Sequence, residues 1–225
     1  ITVTSPSPKP ARPSAVLSMK ILALEFSSRQ RSVAITDDDQ LLAHVETDEF
    51  RQSPLTLIDL ALTEACLPRD SITTIALGIG PGSYTGIRGA IATAQGWQLA
   101  SNVNLLAVPS TEILAATARA KGLRGETDFI IDAQRHEYYH ATWNLTDDSQ
   151  TETSPLKIIG VTEAAELEAH GPDSISFPTC APLYPDAAVL TQLATNRTDF
   201  QSGESIQPIY LRKTEFTKAP PPRQF

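Results

Sequence analysis

The sequence predicts an α/β fold made of two successive units, each a mixed β-sheet flanked by helices. Three observations lead there. Thr73 to Ala100 reads as a short apolar strand, a glycine-rich turn and a helix of small residues. Ile21 to Phe26 is an almost unbroken apolar run, the pattern of a strand buried on both faces. From Thr127 the same kind of pattern starts again after a short glycine-containing linker at 122–126.

The first unit is expected over residues 19–122. Arg31–Thr36 and Gln40–Thr47 follow the opening strand as two alternating segments joined by Asp37, Asp38 and Asp39, which gives an antiparallel meander. Gln52–Cys66 is an amphipathic helix entered through Ser53 and Pro54. Asn104–Val108 is a further buried strand, and Ser110, with Glu112 in the first turn, opens a helix running to about Lys121.

Between these lies the glycine-rich turn, where four glycines and Pro81 lead to Ser83 as the expected cap. Two readings stand: a close strand-to-helix packing that only glycine permits, and an anion cradle at a helix N-terminus. Glu25, Ser27, Gly82 and Ser83 are the candidates for phosphate or nucleotide contact on the second reading. The helix that follows carries rows of small residues at four-residue spacing: Gly86, Ala90 and Ala94, then Gly89, Thr93 and Trp97. Such rows let another helix approach closely, so these six, with Leu55, Ile58 and Leu62 of the preceding helix, form the expected partner interface.

The second unit is expected over 123–213. Asp128–Leu145 is a strand, turn and strand; Pro155–Gly160 another strand; Thr162–His170 a short helix; and Tyr184 to about Asn196 a second. Ile209–Arg212 is a closing strand expected on this half. Residues 1–18, rich in proline, and the tail 214–225 are expected to be disordered, with Met19 as the native start.

His136-Glu137-Tyr138-Tyr139-His140 matches HExxH, which binds zinc when one helical turn presents both histidines. The neighbours Tyr138, Tyr139, Thr142 and Trp143 are strand formers. In a strand the two histidines would lie about 13 Å apart, too far to share an ion, so no metal site is expected.

Composition narrows the function classes. A net charge of −8 argues against unaided binding of a polyanion, because Lys and Arg supply most of that affinity. There is no apolar run near the 20 or so residues of a membrane span. Two distant cysteines, Cys66 and Cys180, offer neither zinc-knuckle spacing nor a disulfide framework, and buried free thiols in a reducing cytoplasm are expected.

GIGPGSYTGIRGAIATAQG resembles the signature of the TsaB (YeaZ) family, usually GPGSFTGLR followed by a small-residue helix. DFIIDAQRHEYYHATWNL is similar to that family's IDARRGEVYWALY segment, and the IYLR ending to its PxYLR. The resemblance implies two actin-like lobes of the ribonuclease H-like (ASKHA) type. It implies a non-catalytic subunit that binds a TsaD-like catalytic subunit, with a TsaE-like ATPase joining. That assembly modifies the adenosine 3′ of the anticodon in tRNAs reading ANN codons. tRNA would be met through the complex, ATP or ADP would belong to the partner complex, and the isolated chain would form a homodimer. Where the family opens ILAIDTS, this chain has Glu25 and Phe26 for the Asp and Thr. Where the sister family TsaD has an HxxxH metal motif, VPSTEILA places Ser110 and Leu114. The alternatives are a phosphotransferase or ATPase using Glu25, Ser27 and the Gly82–Ser83 corner, and a metallopeptidase resting on HEYYH.

Overall fold

The computed structural model describes residues 18–49, 52–172, 177 and 179–211. The proline-rich stretch before Ser18, the tail and Arg212 lie outside the described residues.

The first sheet is built from the expected meander. β1 (Lys20–Glu25), β2 (Arg31–Asp37) and β3 (Gln40–Thr47) run antiparallel, and β4 (Thr74–Gly78) and β5 (Asn104–Val108) add in parallel, giving the order β3-β2-β1-β4-β5. β1 is central and covered on both faces, which is why its sequence is continuously apolar rather than alternating. α1 (Pro54–Glu64) crosses from β3 to β4, and α2 (Tyr84–Ala100) from β4 to β5. Ser53 accepts from the Thr56 amide and Pro54 fills the first helical position, as the sequence indicates.

The second sheet repeats this plan. β6 (Gly125–Asp132), β7 (Glu137–Leu145) and β8 (Gln150–Gly160) form another antiparallel meander, while β9 (Ala169–Gly171) and β10 (Cys180–Pro182) lie parallel on the far side of β6. The order β8-β7-β6-β9-β10 is that of the first sheet, strand for strand.

The helices that follow the fifth strand of each sheet change sides. α3 (Ser110–Ala120) leaves the first sheet and packs Leu114, Ala115 and Ala118 against Phe129, Ile131 and Tyr139 of the second. α5 (Ala187–Ala194) leaves the second sheet and packs Ala187, Leu190 and Ala194 on Ile21, Ala23, Ala34 and Ala76 of the first. α3 and α5 also touch one another, so they form the joint between the lobes.

Three expectations need correction. The helix over 162–170 is only α4 (Val161–Ala165), because Ala169 and His170 pair with Asp128 and Phe129 and are drawn into the sheet. The described part of the closing segment, Ile209 to Leu211, is not a strand of the second half: the Ile209 amide donates to Ile79 O at 2.9 Å, which holds it on the glycine-rich turn of the first lobe. The cysteines are not buried: Cys180 is half-buried and Cys66 is exposed. Cys66 sits at φ 53° just past α1, where the Leu67 amide reaches back to Leu62 O, and this Schellman-type closure turns the thiol outward. Among the described residues no helix is long and apolar enough to cross a membrane.

Candidate functional site

The C-terminal ends of β1 and β4 lie side by side, and the glycine-rich turn wraps over them. Glu25 is fully buried there. Its Oε1 accepts from the Ser27 amide at 2.7 Å and its Oε2 from Ser110 Oγ at 3.4 Å. Ser110 Oγ in turn accepts from the Gly80 amide at 3.1 Å, while the Ser110 amide donates to Gly80 O at 2.8 Å. Burial pushes the Glu25 carboxyl up to about 7; the Ser27 and Ser110 hydrogen bonds oppose the rise, and the nearby Asp186 charge adds to it.

Ser83 caps α2 by accepting from the Gly86 amide, and its own amide donates to Ser27 O at 2.6 Å. Glu25, Ser27, Gly82 and Ser83 are therefore brought together. The glycines are where the chain comes closest to itself. A Cβ on Gly78 would overlap the Glu25 carboxylate, one on Gly82 the Ser27 carbonyl, and one on Gly86 the Phe26 carbonyl. At these three positions the glycine pattern is accounted for by close packing. The link from Ser110 across to Glu25 was not legible in the sequence, where the two stand 85 residues apart. Ser110 is also not the helix cap, since Pro109 holds that position.

The helix pair divides into two faces. Ile58, Leu62, Ala90 and Ala94 belong to the main core of the first lobe, and Gly86 is buried against Phe26. These five cannot meet a partner, contrary to the sequence expectation. The reason is that α2 lies across β1 and β4, and its Gly86–Ala90–Ala94 row is what lets it come so near the sheet. Of the expected interface, Leu55 is exposed, and Gly89, Thr93 and Trp97 are half-buried. Leu60, Tyr84 and Leu99 join them as large apolar side chains open to solvent, with Leu99 90% exposed.

A cluster beside this face was missed from sequence. Tyr84 and Tyr210 stack with ring centroids 5.6 Å apart, the Arg88 guanidinium lies 4.4 Å from the Tyr84 centroid, and Arg88 Nε donates to Tyr210 Oη at 3.2 Å. Tyr210 of the terminal motif thus clamps the start of α2. The signal of this clamp was present as an aromatic and an arginine inside the signature, Tyr84 and Arg88, but the pairing with Tyr210 spans 122 residues.

HEYYH is not a helical zinc motif. Its first residue lies in the β6–β7 turn at φ 62°, and the remainder belongs to β7. His140 Nε2 lies 2.8 Å from Asp128 Oδ1, which also accepts from Thr142 Oγ1 at 2.7 Å.

A family model described as TsaD, tRNA N6-adenosine threonylcarbamoyltransferase, matches residues 45–183. The chain belongs to this family. Within it, relatives place the chain with the TsaB (YeaZ) proteins. The tRNA threonylcarbamoyladenosine biosynthesis protein TsaB of Escherichia coli is 32% identical over 127 residues, covering 56% of this chain and 55% of the relative. The chain spans about half the length of the curated TsaB relatives it matches. The crystal structure of an uncharacterized Pseudomonas aeruginosa protein with similarity to peptidase YeaZ is 26% identical with a TM-score of 0.74. It covers 86% of this chain and all of the other. YeaZ from Pseudomonas aeruginosa, at 24% identity and a TM-score of 0.70 over the same shares, has the same fold.

Proposed function

We propose that this TsaB-type protein is a non-catalytic subunit of a tRNA threonylcarbamoyladenosine-forming complex. It binds and supports a TsaD-like catalytic subunit in the cytoplasm, and a TsaE-like ATPase joins that assembly. The observation that carries the non-catalytic reading is the use made of Ser110 and Leu114, the positions matched to the sister family's metal-binding histidines. Ser110 is fully buried and bonded to Gly80 and Glu25, and Leu114 is fully buried in the second core. A hydroxyl and an isobutyl group so engaged do not ligate a metal. The chain's charge of −8 fits a subunit that meets tRNA through its partner rather than directly.

The docking surface in this reading is the outer face of α1 and α2, with Leu55, Leu60, Thr93, Trp97 and Leu99. Burial of such residues by a partner helix pair gives a four-helix contact, and a second copy of this chain takes the same face when the partner is absent. The test is co-purification with a TsaD-like protein followed by a reconstituted tRNA modification assay with and without this chain. Leu55→Glu and Leu99→Glu should weaken association and modification by tenfold or more, about 1.4 kcal/mol, while the monomer keeps its thermal stability. Unchanged association in both variants removes the helical face. Modification that needs no TsaB-type chain removes the function itself.

A further inference from the structure

His44 and Glu46 lie two residues apart on β3 and so share one face of that strand. Above this face sits Asp186, the residue that caps α5, with its Oδ1 accepting from the Ala188 amide at 2.7 Å. The three side chains come from chain positions some 140 residues apart, which is why no sequence motif announces them. His44 Nε2 is 3.1 Å from Asp186 Oδ1 and 3.8 Å from Glu46 Oε1, and all three potential donor atoms lie within 4.8 Å of one another.

These spacings suit a small ion. A tetrahedral zinc with bonds of 2.0–2.1 Å holds its ligand atoms about 3.3–3.5 Å apart, and the two distances from His44 Nε2, 3.1 and 3.8 Å, bracket that spacing. His44 Nε2 is shielded from solvent and, despite its closeness to Asp186, is not aligned with any acceptor for a hydrogen bond. His44 Nε2 therefore stands within 4 Å of two carboxylate oxygens with no well-aligned hydrogen bond to either, an arrangement open to a bridging cation. Glu46 is steadied by Gln30, whose Nε2 donates to Oε1 at 3.1 Å. Glu46 also lines a cleft of about 570 Å³ with Arg29, Gln30, Thr47, Asp48 and Tyr184, so its carboxylate is reached from solvent.

We propose that His44, Glu46 and Asp186 form a binding site for a divalent ion of the zinc class, which clasps the start of α5 onto β3. Imidazole with two carboxylates prefers zinc over manganese and leaves magnesium unbound at comparable concentrations. Such an ion ties the returning helix to the edge of the first sheet, and its binding energy adds to folding.

The test is equilibrium dialysis of the full chain against micromolar zinc, with metal analysis and thermal unfolding read on the same samples. The expected result is one equivalent of zinc bound and a rise in Tm. Zinc affinity should fall by about tenfold or more in His44→Ala and in Glu46→Gln, with the Tm rise lost in both, whereas His136→Ala changes neither. Glu46 is partly exposed, so Glu46→Gln carries the test if His44→Ala fails to fold. The proposal is overturned if no zinc is retained at micromolar concentration, or if His44→Ala and Glu46→Gln, folded by circular dichroism, bind it as the parent does. Neither outcome depends on whether a TsaD-like partner binds.

Discussion

Glu25 shows how a single side chain can be both structural and titratable. Unfolded, its carboxyl titrates near 4.5; folded, at about 7. Between those values the folded state holds the extra proton, so stability falls as pH rises, and above the folded value the whole cost remains, on the order of 3 kcal/mol. Below pH 4.5 both states are protonated and no cost arises. Glu25→Gln keeps an oxygen for the Ser27 amide and removes the charge. Its stability advantage over the parent should be near zero at pH 4 and grow toward pH 8, read as urea midpoints; an advantage that does not vary with pH refutes the assignment. Asp186 contributes through its charge, so ionic strength should shift the midpoint modestly. The β6–β7 turn holds a different residue-scale feature. Gln134, Arg135 and His136 all have φ near +60°, a region that costs L side chains energy. The family segment IDARRGEVY has glycine where His136 stands. His136→Gly should raise stability by about 1 kcal/mol, visible as a higher Tm, and a lower Tm would show that the imidazole has a compensating contact. That the turn exists was legible from Asp132 to Glu137; that three successive residues share the left-handed region was not, because propensity disfavours it in non-glycine residues.

At the scale of elements, α2 carries glycines with opposite roles. Gly86 faces the Phe26 carbonyl, and Gly96 has nothing within 4 Å of an added Cβ. Propensity alone favours alanine at both by about 1 kcal/mol. Packing reverses the sign at Gly86: Gly86→Ala should destabilise by about 2 kcal/mol or more, and Gly96→Ala should stabilise by 0.5–1 kcal/mol. Denaturant unfolding of the two variants checks this, and equal effects would remove the close-approach account of the signature. Sequence periodicity located α2 and its cap correctly, because Ser83 and the small-residue rows are local signals. It did not say which row faces the sheet. Both rows consist mainly of small residues, so hydrophobicity could not rank them, and of the two assigned to a partner, Gly86–Ala90–Ala94 proved to be the one pressed on β1 and β4. On α1 the ambiguity was milder: Ile58 and Leu62 are core while Leu55 is exposed, since the apolar arc is wider than the buried one.

The whole molecule is organised by the exchanged helices. Because α5 covers the first sheet and α3 the second, neither lobe is complete with its own segment of chain alone. Leu190, fully buried among Ile21, Ala23 and Ala34, should therefore be needed by residues far before it. Leu190→Ala should cost 2–4 kcal/mol and lower the unfolding midpoint of both lobes together. Each lobe holds one of the two tryptophans, Trp97 in α2 and Trp143 in β7, so Trp97→Phe and Trp143→Phe variants report the other lobe separately by fluorescence. Two resolved midpoints would refute the coupling. The repeat itself was legible, since the strand pattern restarts at Thr127 with the same meander. The exchange was not: helix amphipathicity shows that a face is buried and carries no address for the sheet that buries it. During translation one surface of β1 must then wait uncovered while about 80 further residues beyond β5 leave the ribosome, a stretch counted from Asn104–Val108 to Ala187–Ala194. The nascent N-terminal half should for that interval be a ready client for chaperones, and release it only when its last helix arrives.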